Sequence, residues 1–220
     1  MRAVLCKTAL VFVLLACQDG WGGDIGGPGP LRPVTQGDLD TILPSGTHFM
    51  MDSSAIEQFL TELDGHPPDW AAIYGHGHHD PGYDERLFAL NRERDAKREG
   101  QPALNWHVAF AWAGELSAYN TESGGFPVAL GPKFIKTSWG LVRFKPEEAP
   151  GNLSVIADSL QREQLQRRLE TGETVEIDVV MTGKLIPGES IVYDFSHDEE
   201  GLGLIMPFVR VERVDFVATP

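Results

Sequence analysis

The densest run of side chains capable of chemistry in this 220-residue sequence is Gly75-His76-Gly77-His78-His79-Asp80. With His66, four of the chain's seven histidines fall within fourteen residues. Imidazole is the commonest metal ligand near neutral pH, and the interleaved glycines let the backbone turn so that His76 and His78 converge. Nitrogen donors with one carboxylate suit zinc or copper(II), and do not suit calcium or magnesium. His76, His78, His79 and Asp80 are therefore the candidate metal ligands, with His48, His107 or His197 as a further donor. A short His-rich tract is compositional evidence, however, and a solvated, hydrogen-bonded loop is the weightier reading.

The same residues have the His-x-His-x-Asp spacing that resembles metallo-β-lactamase-fold hydrolases. Pro81 stands where that motif continues with histidine, and the alternating strands and helices of that fold are missing downstream, so the motif is set aside. There is no Gly-x-Ser-x-Gly elbow, no phosphate-binding glycine loop and no cysteine nucleophile. Glu115, Glu122, Asp194 and Asp198 show no spacing that singles out an acid/base pair, and Asp198-Glu199-Glu200 reads as a solvated turn. No catalytic residue is assigned. With 32 acidic against 18 basic side chains the formal charge is −14, which argues against a nucleic-acid partner. Trp106, Trp112, Tyr119, Phe134 and Trp139 fall on expected strands. Most of them read as core, and an exposed subset would stack a sugar or hold a peptide.

The N-terminus carries an address. Arg2 and Lys7 precede the uncharged run Thr8–Ala16, too short for a bilayer span and of the length of a secretory signal. The run ends in Leu14-Leu15-Ala16-Cys17, which resembles the lipobox of bacterial lipoproteins. That resemblance implies cleavage after residue 16, lipid such as palmitate on Cys17, and, with Gln18 and not Asp at the next position, sorting to the outer membrane facing the periplasm. An ordinary cleaved signal, giving a soluble secreted or periplasmic protein, is the alternative. Cys6 would leave with the signal, so the mature body would hold neither a free thiol nor a disulfide. Arg2 and Lys7 would leave too, and no acid with them, so the remainder carries 16 bases against 32 acids. Such a charge disfavours electrostatic attachment to anionic lipid.

Residues 17–47 read as the lipidated N-terminus and a Gly/Pro-rich tether, with folding expected to begin between Val34 and Thr47. Residues 48–220 read as one globular domain. Within it, 48–100 form a helical extension: a helix at 54–64 with Ser54 and Glu57 at capping-box spacing, a short strand at 69–74, and a solvated helix at 84–99. Residues 104–217 form a β-rich core. Leu104, Trp106, Val108, Phe110 and Trp112 alternate with small or polar residues, and the alanine face is small enough to be covered as well. Strands follow at 126–130 and, broken near Ser138, at 134–144. A helix at 159–170 turns Leu160, Leu165 and Leu169 inward, and strands at 175–181 and 190–195 flank a Pro187-Gly188 turn. The last strand, 202–217, slips phase between Val211 and Val214, the pattern of a bulge at Glu212-Arg213. The order strand, strand, strand, helix, strand, strand resembles the OB-fold, a small, partly open barrel; a β-sandwich or an α+β sheet is the alternative. The overall reading is a non-enzymatic, membrane-anchored lipoprotein whose α+β, β-rich domain binds a small ligand or an envelope partner. A metal-binding protein or metal-dependent hydrolase, and a structural envelope protein, are the alternatives.

Overall fold

The computed structural model describes residues 25–33, 36–76, 80–186, 191–196 and 201–218. Cys17, His78, His79, and the 187–188 and 198–200 turns lie outside them. The first described element, strand β1 (Pro28–Arg32), sits inside the stretch expected to be a tether, with Leu31 buried. Its glycines serve close approach and not flexibility. A Cβ on Gly29 would lie 2.9 Å from the Phe216 ring, and one on Gly26 would lie 2.1 Å from the Gly151 carbonyl oxygen. Pro28 and Pro30 are two residues apart, so the N–H groups they lack belong to one edge of the strand. The domain therefore begins well before residue 48.

A 3-10 turn (Gln36–Thr41) and a two-residue strand, β2 (His48–Phe49), lead to helix α1 (Ser53–Asp64). Ile56, Phe59, Leu60 and Leu63 bury the expected stripe of α1. The cap differs from expectation. Asp52 is the N-cap, its Oδ1 accepting the Ala55 N–H at 2.9 Å, while Glu57 accepts the distant Ser138 N–H at 2.6 Å. Residues 69–74, expected as a strand, contain helix α2 (Trp70–Tyr74). Asp69 caps its start through the Ala72 N–H, Gly75 (φ 60°) ends it, and two alanines favour the helix over so short a run. Helix α3 (Tyr83–Arg98) buries only Leu90, Arg94 and Arg98, matching its polar sequence.

The remaining elements are β3 (His107–Leu116), β4 (Phe126–Gly131), β5 (Ile135–Thr137), β6 (Gly140–Val142), β7 (Lys145–Pro146), β8 (Ser154–Ile156), α4 (Ser159–Glu170), β9 (Glu176–Leu185), β10 (Ile191–Phe195) and β11 (Gly203–Ala218). The expected strand at 134–144 is thus the β5–β6 hairpin, turning at Ser138-Trp139. β3, β4, β8, β1, β11 and β9 form a closed six-stranded barrel, the β8–β1 and β1–β11 pairings being parallel and the rest antiparallel. Without β1 the barrel runs three strands, a helix and two strands, but its third strand is β8, which was not expected, while the expected strand at 134–144 and β10 pair with β11 outside the barrel. β1 fills the gap between β8 and β11, and the barrel has no free edge there. The pairing of β11 with β9 shifts register between Val211 and Arg213, where the phase slip placed the bulge.

Val108, Phe110, Ile177, Val179, Met181 and Phe216 belong to a single core that also contains the apolar face of α1, so the helical extension is part of the domain. The alanine face is covered in part: Ala109 and Val180 are buried beneath Leu39 of the 3-10 turn and Leu43 just after it, while Ala113 is exposed. Leu160 departs from expectation: it is 63% exposed, and Leu165 is the buried residue of α4. A buried polar cluster ties α1 and α3 to β10. Arg98 donates to Asp64 through Nε (2.8 Å) and Nη2 (2.6 Å) and to the Ile191 carbonyl (2.9 Å), while the Tyr193 hydroxyl donates to Asp64 Oδ2 at 2.5 Å. The Asn91 amide pairs with both the N–H and the C=O of Tyr193, each at 2.8 Å, and so satisfies an edge of β10.

Candidate functional site

The His-rich loop leaves α2 at Gly75, and the structure describes two of its four candidate ligands. His76 is exposed. Asp80 closes the loop: its carboxylate accepts from Arg86 Nη2 (2.9 Å), from the Gly82 N–H (2.9 Å) and from the His76 N–H (3.3 Å). The Arg86 hydrogen bond, helped by the two backbone N–H groups, holds the Asp80 carboxyl far below the usual carboxylate range. Arg86 also donates Nε to the Ile73 carbonyl (2.8 Å), so one guanidinium fastens both ends of the segment. A metal at Asp80 would have to displace that arginine. Among the described residues no three His, Cys, Asp or Glu side chains converge on one point.

The other candidate histidines are engaged separately. His48 stacks on Trp106 with ring centroids 3.8 Å apart. His107 bridges Thr47 Oγ1 (3.1 Å) and Glu212 Oε2 (2.9 Å), tying the start of β3 to the bulge of β11. His197 lies outside the described residues. The strand preceding it does approach the loop: the Phe195 ring packs 5.1 Å from Tyr74 and 4.7 Å from Tyr83, the two tyrosines that bracket residues 75–82.

The five aromatics do not form an exposed stacking face. Trp139 is 2% exposed, Trp112 is half-buried with its indole N–H on the Phe144 carbonyl (2.9 Å), and Tyr119 packs edge-on against Phe126. Phe134 alone among the five is exposed, and the Arg143 guanidinium covers its ring. Most of these aromatics are core, as alternation indicates.

A cavity of about 560 Å³ opens where α4 meets the C-terminal ends of β1 and β11 and the start of β9. Its size falls within the range of small-molecule sites. Leu31, Leu165, Val175 and Ile177 form its floor, and all four belong to the core. α4 starts from a complete capping box between Asp158 and Gln161, yet Leu165 is the one residue it buries, so the helix stands over the barrel end without sealing it. Gln161, Gln164, Arg167 and Arg168 form the helix rim, and Glu176 stands on the strand side. Arg168 is occupied by Glu173, to which Nε (2.8 Å) and Nη2 (2.6 Å) both donate. Arg167 donates only Nε, to the Glu163 carbonyl (3.1 Å), and among the described residues it has no carboxylate partner. No spacing in the sequence signals this site, because its residues come from four separate segments.

Comparison with protein-family models, with curated proteins and with solved structures finds no match. Among the described residues no helix is long and apolar enough to cross a membrane.

Proposed function

We propose that this chain is an exported lipoprotein, anchored through lipid on Cys17 at the outer membrane and facing the periplasm, whose barrel binds a ligand and does no catalysis. The observation that carries the binding half is the apolar cavity beneath α4, open to solvent and rimmed by two amides, the arginines Arg167 and Arg168, and Glu176. Deep, largely apolar sites with a few convergent polar groups are where small ligands bind. The anchoring half rests on Leu14-Leu15-Ala16-Cys17 and on the acidity of everything after it, which leaves lipid and not charge as the attachment. Two measurements test the two halves. Cells fed tritiated palmitate should label the wild type, and Cys17→Ser should lose the label; an unlabelled wild type removes the anchor. Native mass spectrometry of the full chain, extracted from envelopes in mild detergent, should show a retained non-protein mass. The cavity-filling Gln164→Trp should lose that mass, and a wild type carrying none removes the binding role.

A metal-binding reading of His76, His78 and His79 has one observation in its favour: the aromatic contact that brings the end of β10, just before His197, against the base of the loop. It has to dispense with Asp80, which Arg86 occupies. Elemental analysis of untagged protein decides it. Stoichiometric zinc or copper lost in His76→Ala/His78→Ala supports a metal site, and sub-stoichiometric metal indifferent to those changes removes it.

A further inference from the structure

We infer that the cavity beneath α4 takes a fatty-acid carboxylate, its alkyl chain on the core-facing floor and its head on Arg167. This rests on the reading of the barrel as a ligand-binding module and names the class of its ligand. The floor decides the body of the ligand. Leu31, Leu165, Val175 and Ile177 are at most 9% exposed, so a chain lying on them continues the barrel core outward and meets no polar group there. A sugar or a charged peptide would leave its hydroxyls or amides unpaired on the same surface.

The rim decides the head. Arg167 has no carboxylate partner among the described residues, and unlike the other arginines there without one it stands at the mouth of an apolar cavity. Its place in the last turn of α4 suits the negative end of the helix dipole, and the same is true of Arg168. Arg168 nevertheless has Glu173, and Arg167 has only a main-chain carbonyl. A planar guanidinium matches a planar carboxylate with two parallel hydrogen bonds, and Gln164 adds an amide donor on the same helix rim. Glu176 on the strand side opposes a doubly charged head such as a phosphate monoester.

Photo-crosslinking of the full chain in neutral-lipid nanodiscs, using a diazirine-bearing tetradecanoic acid, tests this. Labelling should concentrate on 161–168 and 175–177 and be displaced by unlabelled tetradecanoate. Tetradecanol, without the charge, should compete about tenfold more weakly, and Arg167→Ala should weaken labelling about tenfold, the effect of losing a charge-assisted pair. Gln164→Trp should abolish it, with Arg167→Gln as the milder variant that keeps the helix unaltered. Label scattered over other faces, label indifferent to both Arg167 variants, or displacement more readily by lysophosphatidylglycerol than by tetradecanoate each overturns the inference. If envelope-extracted protein keeps a bound mass that tetradecanoate does not displace, the binding role stands and this ligand class falls.

Discussion

Removing Asp64 from its cluster should be among the most damaging single changes in the protein, and removing its partner as well should repair much of the damage. Asp64 is 0% exposed and accepts three short bonds, two from Arg98 and one from Tyr193; Arg98 is 2% exposed. Breaking such a buried pair costs about 3–5 kcal/mol, because the surviving charge stays desolvated. In Asp64→Leu, Arg98 keeps the Ile191 carbonyl at 2.9 Å and the largely exposed Asp95 at 3.3 Å, which places the loss near 3 kcal/mol. In Arg98→Met, the Asp64 carboxylate keeps the Tyr193 hydroxyl, while Arg94 and Lys97 stay on the Asp64 main-chain carbonyl. Protonating an ordinary aspartate at pH 7 costs about 4 kcal/mol, which bounds the penalty from above. The double variant replaces both charges by apolar volume and should be more stable than either single one, with a coupling of at least about 2 kcal/mol. Urea unfolding followed by tryptophan emission reports it directly, since the Trp70 ring lies 5.9 Å from Tyr193. Single variants costing under about 1 kcal/mol, or a double variant equal to the sum of the singles, would refute this account of the cluster.

Tyr193 also sets an alkaline limit. Burial first, then the Asp64 carboxylate, pushes its phenol far above the ordinary value near 10, so the unfolded chain ionises it before the folded one does. Its contribution is complete below about pH 10 and declines above it by about 1.4 kcal/mol per pH unit, a slope that urea titrations should find reduced in Tyr193→Phe. Gly29→Val should unseat β1 from beneath Phe216 and lower the melting temperature by several degrees, with amide exchange rising in β1 and β8 while α1 and α3 stay protected. Asp80→Asn should leave global stability within about 0.5 kcal/mol and speed proteolysis between residues 75 and 82, because Arg86 loses its charged partner there. Leu160→Ser should be silent to within the same margin, since that leucine faces solvent.

What was legible in the sequence was written locally. α4 spans the expected 159–170, with Gly172 just past its end, because a helix stop acts over only a few residues. The bulge was legible because a period-two pattern cannot slip phase without one, and the cover over Ala109 because residues 104–113 carry no carboxylate, lysine or arginine on either side. What was missed depends on distant partners. The glycines before β1 read as slack until Phe216 and Gly151 are seen lying on them. Asp80 read as a metal ligand because the sequence does not reveal that α3 brings Arg86 to it. Asp64, Arg98 and Tyr193 are spread over 129 positions, and no spacing rule connects them. The cavity is likewise a property of the closed barrel, assembled from residues between 31 and 218.

The closure of the barrel by β1 has a consequence in time as well as in space. Its partner residues on β11, Phe216 and Val217, are among the last in the chain, whereas Leu31 and Arg32 are among the first of the domain. β11 also pairs with β9, β10, β6 and β7, so each of those strands keeps an open edge until it arrives, and only the β1–β8–β4–β3–β9 run, the β2–β3 pair and the β5–β6 hairpin pair without it. Closure therefore joins segments far apart in the sequence, and pairing over such a separation adds a slow step to folding.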